Sequence, residues 1–412
     1  MAERKHPIRL LLVGGGHAML PLVKHADEWI RRGIEVTLLD EWDTLYYSGM
    51  VPEYLGGVYT AEEVQIDLGR LCAESGVTFR RARAESLSLD KTVVTEDGDA
   101  IEFDLVVFDI GSVTPHRKAA DGAVLTKPLH HIEKLEQFVH SVLAAADSTQ
   151  RVVVVGGGAA GVEVLLNLTA RTRAVRPDAL RFSLVEPSDR LLPGFPAGMQ
   201  RDVQRRLEER GVTLHLGARA ELVEEGHVLL HDGTRLAADR VLWATGTTGP
   251  PLFRDVGLPV DDDGFLRVAD TLQCPAAPWL FAAGDCAALA SHPDLRKIGV
   301  HAVKQGPTLR SNVTAALDAL QAGHALADAD LQTFTPYPVA PLILSTGEPT
   351  GLWASGRFWL RGGSILRLKH FVDRRWMGRY SPRWHRRTLR QRFGREAAAD
   401  GDPASFVSSS ST

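Results

Sequence analysis

The sequence predicts an α/β protein made of two similar three-layer (ββα) units, one inserted within the other, followed by a small α+β region. Two observations lead to this expectation. An apolar strand pattern runs into a glycine-rich turn twice, at residues 8–19 and again at residues 152–161. After each turn the same elements recur: a helical pattern, a second strand, short alternating strands and a buried apolar strand.

The second glycine turn has the full G-x-G-x-x-G spacing, with Gly156, Gly158 and Gly161. In this pattern the first glycine makes the tight turn, the second lets the backbone approach a pyrophosphate, and the third lets helix and strand pack closely. The helix that follows offers free N–H groups to the phosphates. We therefore expect a Rossmann-like dinucleotide site here. Glu163, in the first turn of that helix, is a candidate catalytic residue at a nicotinamide edge, or it complements the helix dipole.

The strand after this turn ends in Glu186. A carboxylate at this place accepts hydrogen bonds from a ribose 2′-hydroxyl and repels a 2′-phosphate, which favours NADH over NADPH. Arg190, four residues later, is a candidate for binding a 2′-phosphate, so NADPH stays an alternative donor.

The first turn contains Gly14, Gly16 and His17 but has Met19 where a third glycine would stand. Asp40 ends the next strand at the spacing expected of a ribose contact. We expect FAD here, with Asp40 on the adenosine ribose. Two dinucleotides in this order suit the transfer of a hydride from a nicotinamide to a flavin.

Three further corners are predicted to contact the cofactors. Two buried strands end at Gly111 and Gly246, at equivalent places in the two units. A third apolar strand closes on Gly284-Asp285, where the aspartate would meet a ribitol hydroxyl. Read alone, this last pair is also a helix N-cap signal.

The repeat divides the chain as follows: residues 1–125, the first part of an FAD-binding domain; 126–248, an NAD(P)H-binding domain; 249–330, the second part of the FAD domain; 331–395, a C-terminal region; and 396–412, a disordered tail.

The C-terminal region is strongly basic although the chain has a net charge of −4. Between Arg357 and Arg395 there are thirteen Arg or Lys residues and one acid, Asp373, interleaved with aromatic residues. Such a segment suits the surface of an anionic membrane. The alternatives are a basic helix packed on the acidic remainder and a homodimer contact. Nucleic acid is not an expected partner because no known binding module is present.

Composition argues against several other classes. The three cysteines form no C-x-x-C pair, which excludes a disulfide framework and a structural zinc site, and we expect no metal. No secretory signal and no run of about 18 apolar residues is found. A cytoplasmic protein is expected, with the basic region at the inner face of the cell membrane.

These motifs resemble the FAD/NAD(P)-binding pyridine nucleotide oxidoreductases over about residues 8–320. Within that superfamily the chain resembles the type II NADH dehydrogenases (NADH:quinone oxidoreductases), because no C-x4-C pair is present and the loop at 46–53 contains a proline. The resemblance implies flavin contacts at Ser48 and Gly49 in this loop. It also implies that Val300–Gln305 corresponds to the A-Q-x-A-x-Q motif near the quinone, with Gln305 at the second glutamine as a catalytic and quinone-binding residue, and with Lys304 at the cofactor. His301 replaces the first glutamine and is expected at the quinone. The alternative is a helix start that contacts only the pyrimidine ring of the flavin.

More closely, the chain resembles the branch found alone or fused to selenide, water dikinase, for which no reaction is settled. Two other interpretations stay open from the sequence. The acceptor is a soluble carrier or a selenium or sulfur species, or the chain is a flavin-bearing redox sensor whose basic region contacts a partner.

Overall fold

The computed structural model describes residues 6–114, 123–145, 149–224 and 226–384. Within these ranges the α-helices are α1 (Leu20–Lys24), α2 (Asp27–Ile30), α3 (Val51–Leu55), α4 (Ala61–Val64), α5 (Leu68–Ser75), α6 (Ile132–Ala144), α7 (Ala159–Val175), α8 (Ala197–Glu209), α9 (Leu252–Asp255), α10 (Gly299–Ala322) and α11 (Gly363–Met377).

The strands of the first half are β1 (Arg9–Val13), β2 (Glu35–Asp40), β3 (Thr44–Tyr46), β4 (Gln65–Asp67), β5 (Thr78–Arg81), β6 (Ala84–Ser88), β7 (Thr92–Thr95), β8 (Ala100–Glu102), β9 (Leu105–Phe108), β10 (Ala123–Leu125), β11 (Gln150–Val155) and β12 (Leu180–Glu186). Those of the second half are β13 (Thr213–Leu216), β14 (Ala220–Glu224), β15 (His227–Leu230), β16 (Arg235–Ala237), β17 (Arg240–Trp243), β18 (Leu266–Val268), β19 (Gln273–Cys274), β20 (Ala277–Ala282), β21 (Ala287–Leu289), β22 (Leu342–Ser345), β23 (Gly351–Ser355) and β24 (Phe358–Gly362).

The first main sheet has six strands in the order β19-β20-β9-β1-β2-β5. The strands from β20 to β5 are parallel, and β19 pairs antiparallel with β20 at the edge. β9 consists of four buried apolar residues, which is the pattern of a parallel strand covered on both faces.

The second main sheet has five parallel strands in the order β10-β17-β11-β12-β13. All of them lie in the chain between β9 and β20, which are neighbours in the first sheet. One unit is therefore inserted within the other, and the predicted α/β class with two Rossmann-like units is confirmed.

A separate apolar cluster shows how the second sheet is layered. Val153, Val155 and Val241 point to one face of this sheet and pack with apolar residues of β14 and β15. Alternate residues of β11, such as Val152 and Val154, belong instead to the large core shared with the helices. The sheet is thus sandwiched between a small antiparallel sheet and a helical layer.

Two helices differ from the sequence expectation. The sequence pattern from Ala18 to Arg32 predicts one helix, but the segment forms α1 and α2. Trp29 of α2 is fully buried and donates its indole N–H to Thr314 Oγ1 at 3.1 Å. The pair Gly306-Pro307 predicts a helix start near that point, yet α10 begins at Gly299. A Cβ at Gly306 would lie 3.2 Å from the carbonyl oxygen of Ala18, so this glycine marks close packing and not a helix start.

The C-terminal region consists of the antiparallel sheet β22-β23-β24 with α11 packed against it. The basic residues after position 384 and the predicted disordered tail lie outside the described residues. Among the helices that the structure describes, none combines the length and apolarity needed to cross a membrane.

Candidate functional site

Close backbone packing against the end of β9 makes glycine necessary in the first turn. Gly14 has φ of +86°, and a Cβ there would lie 2.5 Å from the carbonyl oxygen of Asp109. A Cβ on Gly16 would lie 2.2–2.4 Å from the carboxyl group of the same aspartate. The turn thus leaves its backbone open toward a ligand on the opposite side.

Asp40 ties this turn to the end of β2. Its Oδ2 accepts the Gly15 N–H at 2.5 Å, and its Oδ1 accepts the Trp42 N–H at 2.7 Å. Burial raises the pKa of Asp40 to about 6, although the two amide hydrogen bonds act in the opposite direction. A carboxylate has lone pairs beyond these two bonds, so Asp40 can still accept a ribose hydroxyl.

A cavity of about 380 Å³ opens beside the first turn, at the carboxyl ends of the central strands of the first sheet. Many of the predicted cofactor contacts line this cavity: Gly14, Gly16, His17, Asp40, Ser48, Gly111 and Asp285. His17 has a buried Nε2 without a hydrogen-bond partner, and burial, with Lys127 next, lowers its pKa to about 4. This imidazole is therefore neutral and free to bond a ligand.

Asp285 is paired with a cation that the sequence did not single out. Lys127 Nζ donates to Asp285 Oδ2 at 2.9 Å, across 158 residues of chain. Burial would raise the pKa of Asp285, but Lys127 outweighs it and the pKa lies below its usual value. Both residues line the cavity, so this ion pair lies in the same cavity as the first glycine turn.

The second turn repeats the geometry of the first. Gly156 has φ of +114°, and a Cβ there would lie 2.5 Å from the carbonyl oxygen of Ala244. A Cβ on Gly161 would lie 2.1 Å from the carbonyl oxygen of Gly156, which is the close helix–strand contact expected of the third glycine. Gly158 is the N-cap of α7 and has open space around it.

Glu186 holds the second turn as Asp40 holds the first. Its Oε2 accepts the Gly157 N–H at 2.6 Å, and its Oε1 accepts the Ser188 N–H at 2.9 Å. Arg190 pairs with Asp189 on the surface. The two strand-end acids therefore serve their glycine turns in the same way.

A short bridge joins the two units at their strand ends. The Val113 N–H donates to the Thr248 carbonyl at 2.9 Å, and the Thr248 N–H donates back at 2.8 Å. Val113 follows the corner at Gly111, and Thr248 follows the corner at Gly246. The bridge therefore places the carboxyl edges of the two main sheets beside each other.

Glu163 lies in α7 and is buried against the C-terminal region. Its Oε1 accepts the Ser345 N–H at 2.7 Å and the Ser345 hydroxyl at 2.9 Å. Asn167, one turn later, donates to the same hydroxyl at 2.8 Å. Burial raises the pKa of Glu163 to about 7, although Lys369 opposes this effect. At neutral pH this carboxyl can hold or release a proton.

A buried ionic cluster that the sequence reasoning missed lies behind the predicted flavin loop. Lys369 Nζ donates to Gly49 O at 2.6 Å, Glu53 Oε2 at 2.7 Å and Asp373 Oδ2 at 2.9 Å. Tyr47 donates its hydroxyl to Asp373 Oδ1 at 3.0 Å, which completes the bonds of that carboxyl. We call Tyr47, Glu53, Lys369, His370 and Asp373 the Lys369 cluster.

His370 connects this cluster to the surface. Its Nε2 lies 2.6 Å from Glu53 Oε1, and its side chain is 21% exposed, against 2% for Glu53. The only signal in the sequence was the spacing of Lys369 and Asp373, four residues apart on one helix face. Their partner Glu53 is 316 residues from Lys369, a distance that no local pattern reveals.

The three predicted residues of α10 have different surroundings. Gln305 Oε1 accepts the Gly284 N–H at 2.7 Å and so supports the predicted flavin turn. Lys304 donates to Thr335 O at 2.6 Å and does not line the cavity. His301 is buried, and burial, with Lys304 next, lowers its pKa.

The cysteine thiols are buried, and the remaining question is whether side chains are arranged to hold a metal. Cys72, Cys274 and Cys286 are free and buried, and burial raises the pKa of each thiol. Among the described residues no group of three or more His, Cys, Asp or Glu side chains is arranged to hold a metal ion.

The first cavity fits FAD. Its glycine turn leaves no room for a Cβ at Gly14 or Gly16, Asp40 has free lone pairs for a ribose, and His17 offers an unpartnered buried nitrogen. Lys127, which is paired with Asp285, also lines this cavity. For a pyridine nucleotide, the second turn has the same two features: glycines without room for a Cβ at Gly156 and Gly161, and a strand-end carboxylate at Glu186.

Two parallel sheets, each with a glycine turn closed by a strand-end carboxylate, define an oxidoreductase that holds two dinucleotides. Comparison with known proteins gives the family. The model of the pyridine nucleotide-disulphide oxidoreductases matches residues 8–313, and the chain belongs to this family.

Individual relatives agree with this assignment. The chain is 27% identical to the demethylphylloquinone reductase NdbB of Synechocystis over 291 residues, which cover 67% of this chain and 71% of that protein. It is 25% identical to the NADH dehydrogenase-like protein YutJ of Bacillus subtilis, over 69% of this chain and 78% of that one. The structure of NDH2 from Plasmodium falciparum in complex with NADH superposes with a TM-score of 0.73 at 13% identity, over 90% and 97% of the two chains. The predicted resemblance is thus confirmed, whereas the resemblance to the branch beside selenide, water dikinase stays a prediction.

Proposed function

We propose that this protein is an FAD-dependent NADH:quinone oxidoreductase that works at an anionic membrane surface. When bound, FAD would supply the two-electron chemistry that links hydride donation by NADH to reduction of the acceptor. In support, the Synechocystis relative is named a demethylphylloquinone reductase, and the superposed Plasmodium falciparum protein was solved with NADH.

The chain's own residues bind and orient the two nucleotides. Gly14–His17 and Asp40 hold the flavin nucleotide, and Lys127 with Asp285 holds its ribitol end. Gly156–Gly161 and Glu186 hold NADH. Because Glu186 is an anion beside the turn, a 2′-phosphate would be repelled, and NADH is the preferred donor.

The acceptor side needs one proton from the protein or the solvent, because a quinone takes up two electrons and two protons to become a quinol, and the hydride of NADH brings both electrons but only one proton. Glu163 and the Lys369 cluster place three carboxyl groups around one buried ammonium group. Of these carboxyl groups, that of Glu163, outside the Lys369 cluster itself, exchanges a proton near neutral pH, because burial raises its pKa to about 7. We propose that it holds the proton that the reduced acceptor takes up.

The observation that carries the quinone proposal is the exposed apolar surface of α11. The helix buries Lys369 and Asp373 beside Trp376 and Met377, whereas Leu368, Phe371 and Val372 are 48%, 61% and 49% exposed. A helix on the surface of a water-soluble domain normally turns its apolar side chains inward and its charged ones outward. One helix therefore presents apolar side chains outward and, on its inner side, Lys369, which interacts electrostatically with Glu163. This arrangement suits a lipid-soluble acceptor that needs a proton.

Basic and apolar neighbours extend this outer face. Phe358 and Leu360 of β24 are 62% and 58% exposed. Exposed arginines lie close to these residues in the chain: Arg357, Arg361, Arg367, Arg375 and Arg379. Arg361 is paired with Asp202. Arginines around an apolar patch favour the headgroups of an anionic membrane, so we propose peripheral attachment at the inner face of the cell membrane. A homodimer through the same patch is the alternative.

The test is anaerobic stopped-flow absorbance of the full-length yellow protein. We expect NADH to bleach the flavin band quickly, and a quinone carried in anionic vesicles to restore it quickly. A second series with a soluble quinone separates delivery by the membrane from the chemistry itself.

Phe371→Ser is the matched control, because it alters the outer face without touching either glycine turn. It should keep the bleaching by NADH and weaken vesicle binding about tenfold. Bleaching without recovery by any quinone would favour a soluble carrier as acceptor. Absence of bleaching with NADH and NADPH would favour a sensor, and unchanged vesicle binding with a monomer–dimer shift would favour the homodimer.

A further inference from the structure

Asp109 lies beneath the proposed flavin site at the end of β9, and its side chain is 4% exposed. Its Oδ2 accepts two backbone N–H groups that follow the first glycine turn, from Ala18 at 2.8 Å and from Met19 at 3.1 Å. The carboxyl group therefore fixes the backbone that directly follows the first glycine turn.

The same carboxyl also touches the second backbone segment of the proposed flavin site. A Cβ on Gly16 would lie 2.2 Å from Asp109 Cγ, and a Cβ on Gly284 would lie 2.2 Å from Asp109 Oδ1. Asp109 thus separates the two turns, and it lines the cavity itself. Any change in its charge acts on both turns at once.

The charges around Asp109 are mainly negative. It forms no salt bridge within the described residues, and Lys127 is engaged with Asp285. The titratable groups around it are Asp40, Asp285 and Cys286, with His17 across the cavity and Lys127 and Lys297 acting on Asp285. Burial raises the pKa of Asp109 to about 7, the two amides oppose this, and Asp285 and Asp40 add to it.

A pyrophosphate diester adds two negative charges to this cavity. Both charges favour the neutral form of a carboxyl group beside them. We propose that Asp109 is a proton-exchanging positioning residue of the flavin site, whose carboxyl takes up a proton when FAD binds and then holds both turns without opposing the pyrophosphate. This inference rests on the proposed FAD-dependent function.

The sign of the pH effect follows from linkage. A group whose pKa is higher in the complex supports binding below its pKa in the free protein, and this support is lost as the pH rises through its pKa in the complex. FAD should therefore bind more weakly above pH 7, by up to about tenfold per pH unit for one proton.

The experiment is isothermal titration of the deflavinated full-length protein with FAD at pH 8, in two buffers with different ionisation enthalpies. The wild-type protein should take up about 0.5 proton or more per FAD bound. Release of FAD from the holoprotein between pH 6.5 and 8.5, followed by flavin fluorescence, should give the same linkage.

Asp109→Asn keeps the shape and the acceptor oxygen but cannot titrate. It should bind FAD with much less proton uptake than the wild type and with a weaker dependence of the affinity on pH over this range. Asp104→Asn, at the start of β9 and bonded to the Arg9 N–H, is the control and should behave as the wild type. Binding of FAD by the wild type without proton uptake, or equal uptake by Asp109→Asn, would overturn the inference but leave the proposed function standing. Absence of FAD binding would overturn both.

Discussion

Replacing Lys369 by methionine should destabilise the protein more than any exposed substitution in α11. The Lys369 side chain is 5% exposed, and its partners Glu53 and Asp373 are 2% and 7% exposed. Methionine fills most of the volume but leaves two buried carboxylates without their cation. Loss of one partner from a buried ion pair costs about 3–5 kcal/mol. For 412 residues that unfold together, an unfolding entropy of about 2.1 cal/mol/K per residue converts this loss to a fall in Tm of about 3–6 °C.

The loss should depend on pH. Burial would raise the pKa of Glu53, but His370 and Lys369 outweigh it and the pKa is lowered in the native protein. A lowered carboxyl pKa contributes stability that is present above the unfolded-state pKa and lost as the pH falls through the folded-state pKa. The Lys369→Met penalty should therefore be largest at neutral pH and shrink in acid, where the carboxyls of Glu53 and Asp373 become protonated.

The assay is thermal unfolding of the holoprotein at about pH 8 and pH 5, followed by circular dichroism and flavin fluorescence. Arg367→Met, on the exposed side of the same helix, is the control and should change stability by less than about 0.5 kcal/mol. Adding Glu53→Gln to Lys369→Met should recover part of the loss. A Lys369→Met protein within 1 °C of the wild type at pH 8, or a loss that grows in acid, would refute the reasoning.

Three further predictions concern the proposed sites. Gly161→Ala should abolish measurable NADH binding because its Cβ would lie 2.1 Å from Gly156 O, as quenching of protein fluorescence by NADH would reveal. Glu186→Gln should lower the ratio of kcat/KM for NADH to that for NADPH by at least about tenfold, since a charge-assisted hydrogen bond contributes about 1.5–3 kcal/mol; an unchanged ratio would exclude Glu186 from donor selection. Phe371→Ser should weaken binding to anionic vesicles about tenfold in a sedimentation assay while NADH still reduces the flavin, because the ring is 61% exposed.

Much of the fold was predictable from local patterns. The turns at Gly14–His17 and Gly156–Gly161 could be recognised because a tight turn against a strand end excludes a Cβ, so glycine is required at fixed spacing. Asp40 and Glu186 could be recognised because they close the next strand in each unit. The start of α10 was not predictable in this way, because Gly306 allows close helix packing and does not mark a helix start.

The sequence by itself determined which residues share a strand, a turn or a helix face, because these relations depend only on spacing and on backbone sterics. The tertiary structure alone decided which distant charges meet. Lys127 reaches Asp285 across 158 residues, and Lys369 reaches Glu53 across 316. Helical periodicity places Lys369 and Asp373 on one face, but it does not say that this polar face is buried. That choice was made by packing, because only the folded chain brings Gly49 and Glu53 close enough to offset the desolvation of a buried ammonium group.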